Sequence, residues 1–192
     1  MDPIVEAALK KWPNVPHCYG WLALDARGDW YMRDERIQRA GPFPRVKGSR
    51  IGHEKLIDFI ARNYEADAGG CWFFQNGPQR VYVQLEAAPW VWRVRWDGDA
   101  IHLASHTGRA ATVRSAWLDA DGRLYLDTDI GFGIVHSQDM LDAAHAIEAG
   151  IWQPQPLDAS RAPVRFGYVL APAPVAAEAR SKEPPAGGSS SR

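Results

Sequence analysis

Leu24-Asp25-Ala26-Arg27-Gly28-Asp29-Trp30-Tyr31-Met32 decides the fold together with its later echo, Leu118-Asp119-Ala120-Asp121-Gly122-Arg123-Leu124-Tyr125-Leu126. Each stretch sets an Asp-x-x-Gly turn between β-prone residues, and the glycine supplies the positive φ that a tight hairpin needs. The echo continues downstream. Leu56-Ile57-Asp58 lines up with Met140-Leu141-Asp142 inside a helix, and Ala88-Pro89 with Ala162-Pro163 before a strand. Agreement in order across three landmarks indicates an internal duplication. The expected fold is α+β: mainly antiparallel sheet from two related hairpin–helix–strand units, with an N-terminal helix.

Outward from the hairpins, Asp2-Pro3 opens a helix whose apolar residues Ile4, Val5, Ala8, Leu9 and Trp12 recur at helical spacing before Pro13 ends it. Residues 33–50 read as an irregular loop rich in Arg, Pro and Gly. A second helix is expected from about Gly52 to Tyr64, and strands at 71–75, 79–86, 89–96 and 100–104. The third helix runs from an N-cap at Ser137 to Ala149, and a last strand covers 163–170. Pro, Ala, Ser and Gly dominate from Pro172 onward, so 172–192 is expected to be disordered. The organisation expected is an arm at 1–18, one unit at 19–98, a second at 99–171, and the tail.

The 192 residues are 46% hydrophobic and 23% charged, which is globular composition, and the net charge of -1 provides no global field for nucleic acid or anionic membranes. Cys18 and Cys71 form no CxxC pair, which fits a reducing compartment. The opening Met-Asp-Pro-Ile-Val-Glu lacks the basic and apolar regions of a signal peptide, and no apolar run approaches a bilayer span. A cytoplasmic location without membrane contact is expected. Nine tryptophans stand out. Trp90, Trp92, Val94 and Trp96 alternate with Val91, Arg93 and Arg95, so indoles and guanidinia fall on opposite strand faces. That separation predicts core packing rather than base stacking.

Candidate chemistry is sparse. His102 and His106 have metal-ligand spacing for a helix, but their surroundings read as strand and turn, so the imidazoles need not converge. His17-Cys18 has no partner at ligand spacing. His136-Ser137 near Gly131-Phe132-Gly133 lacks the second glycine of a nucleophile elbow, since Asp139 stands there, and the third glycine of a dinucleotide fingerprint. Asp119-x-Asp121-Gly122 lacks the further ligands of a calcium loop, and Arg27-Gly28-Asp29 reads as a turn. The segment 33–50 differs. Arg33, Arg36, Arg39, Arg45, Lys47 and Arg50 face only Asp34 and Glu35, and Phe43 lies between prolines.

With these landmarks the chain resembles the bacterial family called domain of unknown function 1285, or a sister family of it. The residues that carry the resemblance are Gly28-Asp29-Trp30-Tyr31, Ile51-Gly52, Gly70-Cys71-Trp72-Phe73-Phe74 and Val81-Tyr82-Val83-Gln84-Leu85-Glu86-Ala87-Ala88-Pro89-Trp90-Val91, spanning roughly 20–95. The resemblance implies an α+β fold and no established activity. The residues themselves point to a binding or regulatory module that contacts a protein or small anionic ligand through Arg36, Arg39, Phe43, Arg45, Lys47 and Arg50. No cofactor or metal is expected. An enzyme with a site around His53, His136 and Asp139 is the alternative reading. Nucleic-acid binding through 33–50 is a third and less favoured one.

Overall fold

A computed structural model describes residues 1–174. Residues 175–192, most of the segment expected to be disordered, lie outside the described residues.

The described chain forms two mixed six-stranded sheets, each from one contiguous stretch. The first holds β1 (Cys18–Leu24), β2 (Trp30–Met32), β3 (Ser49–Arg50), β4 (Tyr64–Ala66), β5 (Trp72–Asn76) and β6 (Gln79–Leu85), in the order β3-β2-β1-β6-β5-β4. The second holds β7 (Trp90–Trp96), β8 (Ile101–Ser105), β9 (Val113–Asp119), β10 (Leu124–Thr128), β11 (Gly131–Val135) and β12 (Gln155–Leu157), in the order β12-β9-β10-β11-β7-β8. Only β1–β6, β7–β11 and β9–β12 are parallel among the described pairings, so the α+β class and the mainly antiparallel character hold. The helices are α1 (Pro3–Lys11), α2 (Glu35–Ala40), α3 (Glu54–Arg62), α4 (Met140–Glu148) and α5 (Ala162–Phe166).

One turn recurs four times. Asp25, Asp67, Ser105 and Asp119 each begin an Asp/Ser-x-x-Gly segment, with Gly28, Gly70, Gly108 and Gly122 at φ between 74 and 82°. Each first side chain accepts N–H bonds from residues two and four further on. For Asp25 these are Arg27 and Asp29 at 2.9 and 3.0 Å, and for Asp119 they are Asp121 and Arg123 at 3.0 and 2.9 Å. Asp67 binds Gly69 and Cys71, and Ser105 binds Thr107 and Arg109, in the same way. Tyr31, Tyr82 and Tyr125 then donate to the second carboxylate oxygens of Asp25, Asp67 and Asp119. A motif repeated four times marks a hairpin geometry, and by itself it does not mark a copied half. Hairpin and helix do follow in both halves.

Several expectations need correction. β7 was expected in the first unit, ending at 98, yet it pairs with β8 and β11, so the sheets divide between Leu85 and Trp90. Ala162-Pro163 opens α5 rather than a strand. Proline sits in its first turn, where no amide donor is needed, and Gly167 ends it at φ 68°. Asp2 does not cap α1 with its side chain; it binds Arg62 and Asn63, which ties the arm to the end of α3. His136, not Ser137, caps the turn ahead of α4, its Nδ1 accepting from Gln138 N–H at 3.1 Å.

Side chains of both sheets share one core. Trp90 and Trp92 are buried within it, their indole N–H groups donating to Ile130 and Leu126 carbonyls at 2.9 and 3.1 Å. At the seam between the sheets Trp30, Tyr64, Trp72 and Trp90 pack ring to ring at 4.7–5.6 Å, and the Tyr64 hydroxyl donates to Pro89 O. His106 enters this seam. The final described segment returns to the first sheet: Leu85 N donates to Leu170 O at 2.8 Å, Val169 N to Gly70 O at 3.1 Å, and Tyr168 Oη to Ala87 O at 2.9 Å.

The glycines of 131–133 also find their reason here. A Cβ on Gly133 would lie 2.5 Å from Trp92 Nε1 and 2.6 Å from Trp90 O, because both tryptophans press onto β11. Gly133→Ala should therefore cost at least about 2 kcal/mol in urea unfolding, as overpacking does. Gly52→Ala, with open space around it, should stay within about 0.5 kcal/mol. Equal stability of the two variants would refute the packing account.

Candidate binding surface

The segment 33–50 is built around one buried cation. Arg33 follows β2 directly and is 2% exposed. Its Nη1 donates to Gln84 Oε1 at 2.5 Å, its Nη2 to Gly41 O at 2.7 Å and its Nε to Val46 O at 3.2 Å. The guanidinium thus clips both ends of the 41–46 turn to β6 and lies 5.8 Å from the centre of the Phe43 ring. Those acceptors are all neutral, and burial lowers the Arg33 pKa.

Local chemistry makes the segment more regular than the loop expected. Asp34 Oδ1 accepts from Ile37 N–H at 2.8 Å and so caps α2, while Gln38 Nε2 donates to Arg33 O at 2.9 Å. β3 then adds two residues to the sheet beside β2. The cap signal, Asp34 ahead of a helix-forming run, was present in the sequence.

The six basic residues separate by partner. Lys47 is drawn in between Asp25 at 2.9 Å and Glu86 at 3.1 Å. Burial pushes the Asp25 carboxyl up, but Lys47 and the Asp29 and Arg27 N–H groups outweigh it and hold the pKa below the usual value. Arg50 pairs with Asp29 at 2.8 Å. Arg36, Arg39 and Arg45 are exposed, and none forms an ion pair with a described carboxylate. Arg36 and Arg39, three apart on α2, fall on one helix face. Phe43 is half-buried. Sequence reasoning counted the charges correctly but could not see which had internal carboxylates, because Asp25 and Glu86 approach only through the fold.

The alternative trio does not assemble as a unit. Asp139 takes a paired hydrogen bond from Arg93, 2.6 Å from Nε and 3.0 Å from Nη2, and a third bond from Val94 N–H at 3.0 Å. Burial raises its pKa, and these donors outweigh that and lower it. His136 lies at the same helix entry, where burial and the Arg93 charge lower its pKa. His53 caps α3 on the first sheet, its Nδ1 accepting from Leu56 N–H at 3.4 Å. His53 and His136 thus each serve a helix start, whereas the Asp139 carboxylate is held by β7 and gives α4 no side-chain cap.

His102 and His106 also part company. His102, on β8, pairs with Asp97 at 2.5 Å on the surface. His106 Nδ1 accepts from Val91 N–H at 3.3 Å, which leaves the proton on Nε2. That Nε2 is enclosed without a hydrogen-bond partner, among the rings of Trp30, Tyr64 and Trp90 at 5.6–5.8 Å. No helix among the described residues is long and apolar enough to cross a membrane.

The model of the family described as "Protein of unknown function (DUF2946)" matches residues 1–179. No curated protein matches the chain. Among solved structures, it is similar to a DUF1285 family protein from Shewanella baltica OS155, at 16% identity over 65% of this chain and 91% of that one, TM-score 0.44. It is likewise similar to a DUF1285 family protein from Silicibacter pomeroyi DSS-3, at 14% identity over 73% and 82%, TM-score 0.43. The family resembled by residues 20–95 is the one to which these two structures belong.

Proposed function

Because the chain belongs to that family of unknown function, whose model spans residues 1–179, we propose from its own residues that it is a binding module for an anionic partner, an acidic protein segment or a small anion. The docking residues are Arg36, Arg39 and Arg45 on the collar formed by α2 and the following turn. One observation carries the reading: buried Arg33 anchors this collar with three hydrogen bonds, while these three cations stay exposed without an ion pair to any described carboxylate. Lys47 and Arg50, engaged with Asp25, Glu86 and Asp29, hold the collar in place. A rigid display of unpaired charge raises the local concentration of opposite charge and loses little entropy when that charge docks.

Poly-glutamate and inorganic pyrophosphate serve as probes, followed by calorimetry at two salt concentrations. The combined Arg36→Ala, Arg39→Ala, Arg45→Ala variant should unfold at nearly the wild-type urea concentration, yet bind the better probe at least tenfold more weakly. Binding should also weaken between 50 and 200 mM salt. A well-folded triple variant that binds as wild type does would end the proposal. Tighter binding to duplex DNA with a steep salt slope would move the reading to nucleic acid.

A further inference from the structure

The second sheet leaves two strand edges facing one groove of about 610 Å³. One edge is β8. It pairs with β7 on one side; on the other, Leu103 O accepts from Ala111 N at 3.4 Å and Ser105 N donates to Arg109 O at 2.8 Å. An antiparallel ladder turns the backbone groups of alternate residues the same way. Ala110 bridges Ala104 and Ala111 lies opposite Leu103, so on β8 the backbone groups that point outward with no described strand beside them are those of Ile101.

The other edge is β9. Asp119 N donates to Arg123 O, so Trp117 and Ser115 turn their backbone groups toward β10, and the Ala116 N–H points away. Arg114 falls in the register break against β10 and has no opposite residue there. β12 covers β9 only at Trp117–Asp119. Upstream of β12 the chain is pulled away, because Trp152 N donates to Ala146 O at 3.1 Å and its indole is buried. The Ile101 backbone groups on β8 and the Ala116 N–H on β9 thus turn toward the same groove without a described strand partner, and β8 has neither proline nor lysine to blunt it.

We propose that this groove receives an extended peptide segment of a partner protein, which adds as a strand between β8 and β9. Only an extended backbone presents donors and acceptors on both sides at strand spacing, about 4.8 Å to each neighbour. The segment carries apolar side chains at alternate positions, to cover Ile101 and Ile151, the latter 54% exposed. It carries a carboxylate to meet Arg114, which is exposed and forms no ion pair with a described carboxylate. A second copy pairing through β8 would fill one edge and leave β9 open, so a peptide satisfies more of the groove. This surface lies on the second sheet and is separate from the collar at 33–50.

The test starts from a displayed library of random seven-residue peptides, selected on the full chain. Enriched peptides should alternate apolar residues and include an acidic one. Synthesised, they should slow hydrogen exchange at the Ile101 and Ala116 amides at least tenfold. Ile101→Pro removes an edge donor at the start of a strand, where proline is tolerated, and should weaken binding at least tenfold. Arg114→Glu should weaken it while leaving the urea midpoint unchanged. A peptide methylated on alternate backbone nitrogens should not bind. The proposal is overturned by a library without enrichment, by enriched peptides that protect 33–50 instead, or by binding that survives methylation. Protection of the same amides that grows with protein concentration alone would overturn it too, placing a second copy in the groove.

Discussion

At pH 4.5 the protein should be about 2–3 kcal/mol less stable than at pH 6.5, and His106→Phe should remove most of that loss. Burial holds the His106 imidazole at about 3, against roughly 6.5 in an unfolded chain. Above pH 6.5 both states are neutral there and the residue contributes no pH dependence. Between 6.5 and 3 the unfolded chain takes a proton that the folded chain refuses, so stability falls as pH falls, by up to about 1.4 kcal/mol per unit. The geometry agrees with the sign. Nδ1 already accepts from Val91 N–H, Nε2 faces only aromatic rings, and the nearby charge, Arg109 over Trp90 at 5.6 Å, is positive. His136, with its lowered pKa, adds a smaller slope of the same sign and remains in the variant. Asp25, Asp119 and Asp139, all held below their usual values, lose their share only at lower pH. Urea unfolding at half-unit steps separates these ranges. Parallel curves for wild type and His106→Phe between pH 6.5 and 4.5 would show that the ring finds a partner for its second proton.

Arg33→Ala should cost about 3 kcal/mol and release the collar. The substitution leaves Gln84 Oε1 and the Gly41 and Val46 carbonyls without their donor, and an unmet buried polar group costs about 1–3 kcal/mol. It also empties a buried volume. Arg33→Lys should recover little, since an ammonium cannot span three acceptors arranged around a planar fork. Hydrogen exchange of residues 41–47 should accelerate in both variants, more than in α3. A loss below about 1 kcal/mol with unchanged exchange would mean that proline and Lys47 alone hold the segment. The two arginine predictions differ in kind: Arg33 bears on stability, whereas Arg36, Arg39 and Arg45 bear on binding.

Hairpins and long strands were legible because their signals are local. Asp-x-x-Gly determines a turn from its own atoms, and the alternation of Trp90, Trp92 and Val94 shows which side is buried. What failed depended on distant partners. Nothing within 33–50 distinguishes Arg33 from Arg36; the difference is Gln84 on β6. Residues 163–170 read as a strand, but Ala162–Phe166 form a short helix with Pro163 in its first turn and Gly167 just past its end. β11 was missed because Gly131 and Gly133 weaken any strand signal, and they are there to admit two indoles carried by β7. The boundary at 98 was misplaced because β7 follows β6 closely in sequence and still hydrogen-bonds in the other sheet. The sequence groups His53 with His136 and Asp139, yet His53 caps α3 on the first sheet, and Arg93, which binds Asp139, reads there only as a strand residue.

The return of the last described segment to the first sheet sets a timetable for synthesis. A ribosome adding about 5–20 residues per second takes roughly 4–17 s to travel from Leu85 to Leu170. The first six strands are all translated by then, yet the acceptor for the Leu85 amide, the donor for the Gly70 carbonyl and the Tyr168 ring do not exist. For that interval the nascent first half carries an open flank that only residues 168–170 can close.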